Sequence, residues 1–172
     1  MRNALVLSAL ALALTSCTTT SPEQLIAGIG SIISQLHIHI EKLEPKPRIE
    51  IPIDRSGLDV IIHLGIENPT DIPINAKSFL GKLEIEQSGT SSVLGDVNFG
   101  GAVSIPARSS GIIPITLQFK YNDIKSAWKP VANVALGQTT VWKLSGGLEL
   151  SSSRSTYTIP VNLSKTTGGN AK

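Results

Sequence analysis

The sequence predicts a mostly β domain built from antiparallel strands, and two observations support that prediction. Aliphatic and polar residues alternate over Leu58–Ile66 and again over Ile113–Tyr121, and a period of two indicates a strand with one buried face. The chain of 172 residues is 41% hydrophobic but only 4% aromatic. Ile, Val and Leu must therefore form the core, and Ile and Val favour strands. The length suits one domain of ordinary size.

The N-terminus has the pattern of a secretory leader. A short basic start, Met1-Arg2-Asn3, precedes an apolar run from Ala4 to Leu14, which is typical of a signal peptide and too short for a transmembrane helix. The following Leu14-Thr15-Ser16-Cys17 resembles the bacterial lipobox. That resemblance implies cleavage between Ser16 and Cys17 and lipidation of the Cys17 thiol. An ordinary secretory leader with a chance cysteine is the alternative. We predict a lipoprotein signal peptide over residues 1–16.

Residues 17–36 are predicted to form the lipidated N-terminus, a polar tether and an amphipathic helix. Ser21 and Pro22 suit a helix start, whereas Gly28 and Gly30 weaken the helix. Two placements stay open, one packed against the domain and one on the membrane beside the lipid anchor. The polar face has no Lys or Arg, which argues against attraction to anionic lipid. The apolar residues at helical spacing are Leu25, Ile26, Ile29, Ile32, Ile33 and Leu36.

Alternation and turn residues divide the next part of the chain into strands. Pro45 and Pro47 are expected to interrupt the chain after the first strand, and Gly100-Gly101 is expected to form a turn. A bulge near 77–80 would absorb a change of parity in the strand that contains it. The predicted strands are 37–43, 49–53, 58–67, 72–85, 93–99, 102–105, 113–121, 140–150 and 157–163.

One helix is predicted within the domain, near residues 122–136. Asn122 or Asp123 can cap it, Pro130 is expected to kink it, and Gly137 is expected to end it. Its inward residues would include Trp128, which, like Trp142 on a later strand, suits a core position better than a sugar-stacking platform.

Asn68 and Pro69 are predicted to form a structural corner at the end of the central strand. Asn bonds nearby backbone groups, and Pro fixes a dihedral angle that turns require. Asn68 has the buried parity of its strand, so its amide must find partners among backbone groups. Thr70, just beyond the corner, is expected to be exposed.

Several short motifs along the chain resemble those of one known family. They are Gly57-Leu58, Glu67-Asn68-Pro69, Ile72-Pro73-Ile74, Leu80-Gly81, Ile105-Pro106-Ala107-Arg108 and the strand Ile113–Tyr121. This order resembles the type 2 late embryogenesis abundant family, also called the water stress and hypersensitive response (WHy) domain, over roughly residues 46–164. The resemblance implies an antiparallel β-sandwich of fibronectin III/immunoglobulin-like shape with one helix and no established active site. We place this domain at residues 37–164 and a disordered tail at 165–172.

The histidines are the one group of residues that suggests a metal. His37, His39 and Glu41 share one predicted strand, and His63 lies on the polar face of the central strand. If those strands are neighbours, the four side chains could bind a transition metal. Surface histidines alternating with core isoleucines are the interpretation we favour, because neighbours on one strand face stand about 7 Å apart. We predict no metal and no cofactor.

The sequence contains no recognisable catalytic machinery. Cys17 is the only cysteine, so an intrachain disulfide is excluded. No serine lies in a Gly-x-Ser-x-Gly pattern, and no glycine-rich phosphate loop is present. The balance of 15 Lys+Arg against 13 Asp+Glu argues against a nucleic-acid partner.

The sequence therefore predicts a membrane-anchored, non-catalytic lipoprotein of the bacterial cell envelope. Its partners would be the membrane, through the lipid anchor, and a protein of the envelope. Binding, scaffolding and stress protection are the roles that fit, and the alternative is a structural subunit of an envelope or secretion assembly. The resemblance to bacterial lipoproteins implies that Asp directly after the cysteine would retain the protein in the inner membrane. This chain has Thr18 at that position. The outer membrane is therefore favoured if the organism has one.

Overall fold

The computed structural model describes residues 34–152 and 155–169, which form two antiparallel sheets packed face to face. Two 3-10 turns, Ile53–Arg55 and Lys125–Ala127, and one α-helix, α1 (Trp128–Ala135), complete the described elements. The strands are β1 (His37–Arg48), β2 (Gly57–Asn68), β3 (Ile74–Gln87), β4 (Thr90–Ile105), β5 (Ser109–Lys120), β6 (Thr140–Ser151) and β7 (Thr156–Thr167).

The sheet topology confirms the predicted fold class, a mostly β antiparallel sandwich with one helix in the 122–136 region. One sheet has three strands in the order β1-β2-β5, and the other has four in the order β4-β3-β6-β7. The chain crosses between the sheets at the β2–β3 corner, at the β4–β5 turn and through the α1 region.

The core lies between the sheets and is made chiefly of aliphatic side chains, as the composition predicts. Alternate residues of β2 point into it and are fully buried, and β3 and β6 supply the facing layer. Each fully buried Leu, Ile or Phe contributes about 1.5–3 kcal/mol relative to exposure. The core side chains of these three strands include Leu58, Ile62, Leu64, Ile66, Phe79, Leu83, Ile85, Trp142, Leu144, Leu148 and Leu150.

The register gives the sandwich two distinct ends. His37 of β1 pairs with Glu67 of β2, and Asn68 pairs with Ser109 at the start of β5. We call this the corner end, because it holds the β2–β3 corner and the β4–β5 turn. The helix end lies opposite and holds α1, the β1–β2 loop and the β3–β4 turn.

A glycine pair leaves room for the Phe79 ring inside the sandwich. Gly81 of β3 pairs with Gly146 of β6. A Cβ on Gly146 would lie 2.3 Å from the Leu80 carbonyl oxygen and 2.9 Å from the Phe79 ring. Any side chain here would therefore push the Phe79 ring or the β3 backbone away.

Two predictions were wrong, one for β1 and one for the loop after it. β1 continues through Pro45 and Pro47 to Arg48, because an edge strand tolerates proline where the missing N–H would face away from the sheet. The predicted strand at 49–53 is instead a loop in which Ile51 is 97% exposed.

The predicted turn at Gly100-Gly101 was also wrong, whereas the predicted bulge near Lys77 is confirmed. β4 runs unbroken through both glycines. The pairing shifts between Ala76 and Ser78, opposite Gly100 and Val103, so an irregularity in the ladder absorbs the extra residues. β7 extends to Thr167, so residues 165–167 of the predicted tail belong to the sheet, where they pair with β6.

The helix begins later than the sequence predicts. A 3-10 turn precedes α1, and neither Asn122 nor Asp123 caps it. Pro130 is the third residue of α1. It lies in the first turn, where N–H groups have no helical partner, so it need not kink the helix. Gly137, with φ 71° and its N–H donated to the Val134 carbonyl, ends the helix as predicted.

Candidate functional site

The β2–β3 corner is organised by the buried amide of Asn68, which is 1% exposed. Its Nδ2 donates to the carbonyl oxygens of Ile72 at 2.9 Å and Pro106 at 3.0 Å. Its Oδ1 accepts from the Thr70 hydroxyl at 2.6 Å and from the Thr70 N–H at 3.2 Å. One side chain therefore uses both donors and its acceptor to join the corner to the β4–β5 turn.

Backbone and ionic contacts tie the same two connections together. The Arg108 N–H donates to the Thr70 carbonyl at 2.9 Å, and Arg108 Nε donates to Asp71 Oδ1 at 2.5 Å. Arg108 adopts φ 53°, a left-handed conformation that is uncommon for a residue other than glycine. Thr70 is 8% exposed, so its predicted exposure was wrong; its hydroxyl bonds to the buried amide.

Hydrogen bonds connect two of the places where the chain crosses between the sheets, the β2–β3 corner and the β4–β5 turn. The polar atoms of Asn68 are engaged internally, while Glu67, Pro69 and Ser110 border a shallow surface depression beside it. The motif residues Asn68 and Pro106 are 38 positions apart in sequence and touch here. Alternation indicated that Asn68 is buried, but no local pattern could have named Pro106 as its partner.

The histidines are distributed over the outer face of the three-stranded sheet. His63 Nε2 lies 3.7 Å from Glu44 Oε1, and Lys42 Nζ lies 2.7 Å from the same oxygen. The hydrogen bond and charge of Lys42 lower the pKa of the Glu44 carboxyl, and the nearby Lys46 and His63 add to the effect. This cluster is an exposed ion pair with an imidazole beside it.

His39 lies in a different place, over Gly65 of β2. A Cβ on Gly65 would come within 2.7 Å of His39 Nε2, so the ring occupies the space that a side chain would fill. Glu41, Glu67 and Ser110 border the shallow depression around it. The only sign of this depression in the sequence is Gly65, a glycine within a strand, which marks a place where another group can approach the backbone closely. Across residues 34–152 and 155–169, no three His, Cys, Asp or Glu residues come together as a metal-binding group.

The predicted lipidation and cleavage residues, Cys17 and Ser16, lie outside the described residues, as do the signal peptide and the segment 17–33. In the part of the chain that is described, no helix is both long and apolar enough to cross a membrane.

Fold and corner together define a seven-stranded antiparallel β-sandwich whose crossovers are joined by a buried asparagine. No family model matches the chain, and a search of curated proteins finds no significant match either. Among solved structures, a protein from Arabidopsis thaliana determined in solution has a TM-score of 0.54 and 14% identity. The alignment covers 76% of this chain and 80% of that one.

Two other solved structures are similar at lower scores. A protein from Archaeoglobus fulgidus has a TM-score of 0.46 at 14% identity over 77% of this chain and 99% of its own. A candidate late embryogenesis abundant protein has a TM-score of 0.43 at 12% identity over 84% of each chain. At 14% identity, the similarity to the Arabidopsis protein shows a common fold alone, and TM-scores below 0.5 do not establish even that.

Proposed function

We propose that the chain is a lipid-anchored, non-catalytic module of the bacterial cell envelope, with a domain like those of type 2 late embryogenesis abundant proteins. Its role would be binding, scaffolding or stress protection. The observation that carries the anchor is Leu14-Thr15-Ser16-Cys17 directly after an apolar run. The thiol supplies the nucleophile for a diacylglyceryl group, and small residues before it leave the bond accessible to a peptidase.

The folded domain supports a non-catalytic role. Its buried polar residues are Ser56, Asn68, Thr70, Thr140 and Ser151, and none of them carries a charge. The pKa shifts of Glu44 and Lys143 come from exposed ion pairs with Lys42 and Glu86. Catalytic groups usually have pKa values perturbed within a cleft, and ion pairs at the surface are a poorer fit to that role.

The resemblance to the WHy family gains support from where its motifs lie in the fold. Asn68-Pro69 forms the β2–β3 corner, and Ile105-Pro106-Ala107-Arg108 forms the β4–β5 turn. Hydrogen bonds join these two motifs, so their residues stabilise the connections between the sheets. A link with water stress is therefore proposed from the family resemblance, since fold alone does not fix function.

The start of the described chain indicates the end of the domain at which the proposed anchor would be attached. The described chain starts at Ser34, beside the corner end. Sixteen residues lie between Cys17 and Ser34, and a segment of that length spans at most about 60 Å when fully extended. The proposed anchor would therefore join the domain at its corner end. In a two-membrane bacterium the outer membrane is the proposed site, because Thr18 follows the cysteine.

Substitution of Cys17 tests the anchor in the full chain. We expect Cys17→Ala to abolish labelling by a fatty-acid probe and to leave an uncleaved or mislocalised precursor. Ser16→Ala is the matched control, because it keeps a small residue before the cysteine and should retain labelling. Unchanged labelling of Cys17→Ala would refute the lipoprotein assignment.

A second function, a structural subunit of an envelope or secretion assembly, is favoured by one specific observation. Within the described residues, β4 pairs with β3 on one side and with no strand on the other, and exposed edges can add strands from partners. Affinity purification of the full chain from membranes separates the two roles. A stoichiometric partner favours the assembly subunit, and its absence favours an independent module.

A further inference from the structure

We propose that β4 is a self-association edge, through which two copies of this chain pair into one continuous eight-stranded sheet. The inference concerns the folded domain and stands apart from the proposed lipid anchor. An edge strand presents unpaired backbone N–H and C=O groups that form a template for another strand. These groups would bind the backbone of any extended strand that lies alongside β4 in register.

The other three edge strands carry prolines and lysines, which oppose strand addition, whereas β4 carries neither. β1 has two prolines and five charged residues, β5 has Pro114 and Lys120, and β7 has Pro160 and Lys165. β4 is the longest strand, at 16 residues, and has no proline, no lysine and one charge, at Asp96. Prolines and charged residues protect an edge, as do bulges, so the part of β4 between its two ladder irregularities is the least protected stretch of edge.

The centre of β4 is regular enough to accept a partner. Six successive residues, from Gly95 to Gly100, pair with β3 without a shift, and the irregularities lie on either side of them. Asn98 lies in this stretch and is exposed, Val97 is buried and Phe99 is half-buried. The stretch is therefore a short, regularly paired segment that a second strand can match, and the irregularity on each side limits its length.

Antiparallel pairing about a two-fold axis at Asn98 makes this stretch complementary to itself. Asn98 would face its own copy, and an amide both donates and accepts hydrogen bonds. Val97 would face the partner's Phe99 on the core side, which buries more of that ring. Asp96 would face the partner's Gly100, so the only charge on the strand meets no like charge. A second copy is the occupant that these pairings favour, because a two-fold interface uses the same patch twice.

Disulfide trapping tests the register in the full chain, purified in mild detergent with Cys17→Ser removing the only native thiol. Directly opposite residues of an antiparallel pair have Cα atoms about 4.5–5.5 Å apart, within the range a disulfide bridges. Asn98→Cys should therefore convert the chain to a dimer band on non-reducing gels. Asp96→Cys should not, because the two copies of residue 96 would stand about 13 Å apart along the strands. Asn162→Cys, at an exposed position on the β7 edge, is the second control.

A charge placed at the axis tests the association itself. Asn98→Lys puts two ammonium groups side by side and should raise the dimer dissociation constant roughly fivefold or more, measured by light scattering over a concentration series. Asn162→Lys, the same change at an exposed asparagine of β7, should leave the dissociation constant unchanged. A monomeric chain at all concentrations, equal effects of the two lysines, or cross-linking at 98 no greater than at 96 or 162 would overturn the proposal. Fatty-acid labelling of the chain is unaffected by any of these outcomes, so the anchor and the edge succeed or fail separately.

Discussion

At the scale of single residues, Asn68 shows both what a sequence pattern can predict and where it stops. Its parity predicted burial, and its polarity predicted that its amide would need partners. The structure supplies them from Thr70, Ile72 and Pro106. Pro106 belongs to a turn that the corner meets only after both sheets have formed. Local spacing carries no information about that contact. The sequence could therefore predict that the Asn68 amide needs hydrogen-bond partners, but it could not identify Pro106 as one of them.

Removal of this amide should destabilise the domain. Asn68→Ala is expected to cost about 1–3 kcal/mol, because the carbonyls of Ile72 and Pro106 lose their donor and the buried Thr70 hydroxyl loses its acceptor. Asn68→Asp should also destabilise, because a carboxylate cannot donate to those carbonyls and would be a buried charge. Urea unfolding of the full chain measures both. Asn162→Ala, at an exposed asparagine, should stay within about 0.5 kcal/mol of the parent. If Asn68→Ala unfolds like the parent, the corner is not held by its amide.

At the scale of elements, alternation predicted strands well and chain breakers predicted their ends poorly. β2 and the inward face of β5 follow the predicted parity. β1 and β4 run through prolines and glycines that were expected to stop them. The reason lies in the sheet order, because edge positions and ladder irregularities tolerate such residues. Which strand would lie at an edge depends on the pairing of the whole chain, which local spacing does not determine.

The Gly81–Gly146 pair should be intolerant of any side chain. Gly146→Ala would place a Cβ against the Leu80 carbonyl oxygen and the Phe79 ring. We expect a loss of about 1–3 kcal/mol, as for other overpacked cores. Denaturant unfolding measures the change. Gly100→Ala is the matched control, because a Cβ there meets no atom within 4 Å, and it should be nearly neutral. Equal stability of the two variants would show that β3 and the Phe79 ring move aside at little cost.

At the scale of the whole molecule, sequence alone could not determine which strands are neighbours in a sheet and which of their residues lie opposite one another. The metal hypothesis depended on that information, since it required His37, His39 and His63 on neighbouring strands to converge. β1 and β2 are indeed neighbours, but His63 lies beside Glu44 while His39 lies over Gly65.

Metal removal should therefore leave stability unchanged. We expect a chelator to have no effect on the melting temperature, because a metal that bound only the folded state would have raised it. The triple variant with alanine at His37, His39 and His63 should melt close to the parent in calorimetry, with a small loss from the contact of His39 with Gly65. A fall of several degrees with chelator would establish a structural metal instead.

The seam between β1 and β7 has a consequence for how this chain must fold. Lys165 Nζ donates to the Glu41 carbonyl at 3.2 Å across 124 positions of sequence, so the first and last strands meet. A topology with such distant contacts folds slowly, because the long loop must close before its contacts can stabilise it. The sandwich cannot be completed until the residues of β7 have left the ribosome. If the chain is exported as proposed, slow closure would favour an unfolded polypeptide during passage through a membrane, with the sandwich completed on the far side.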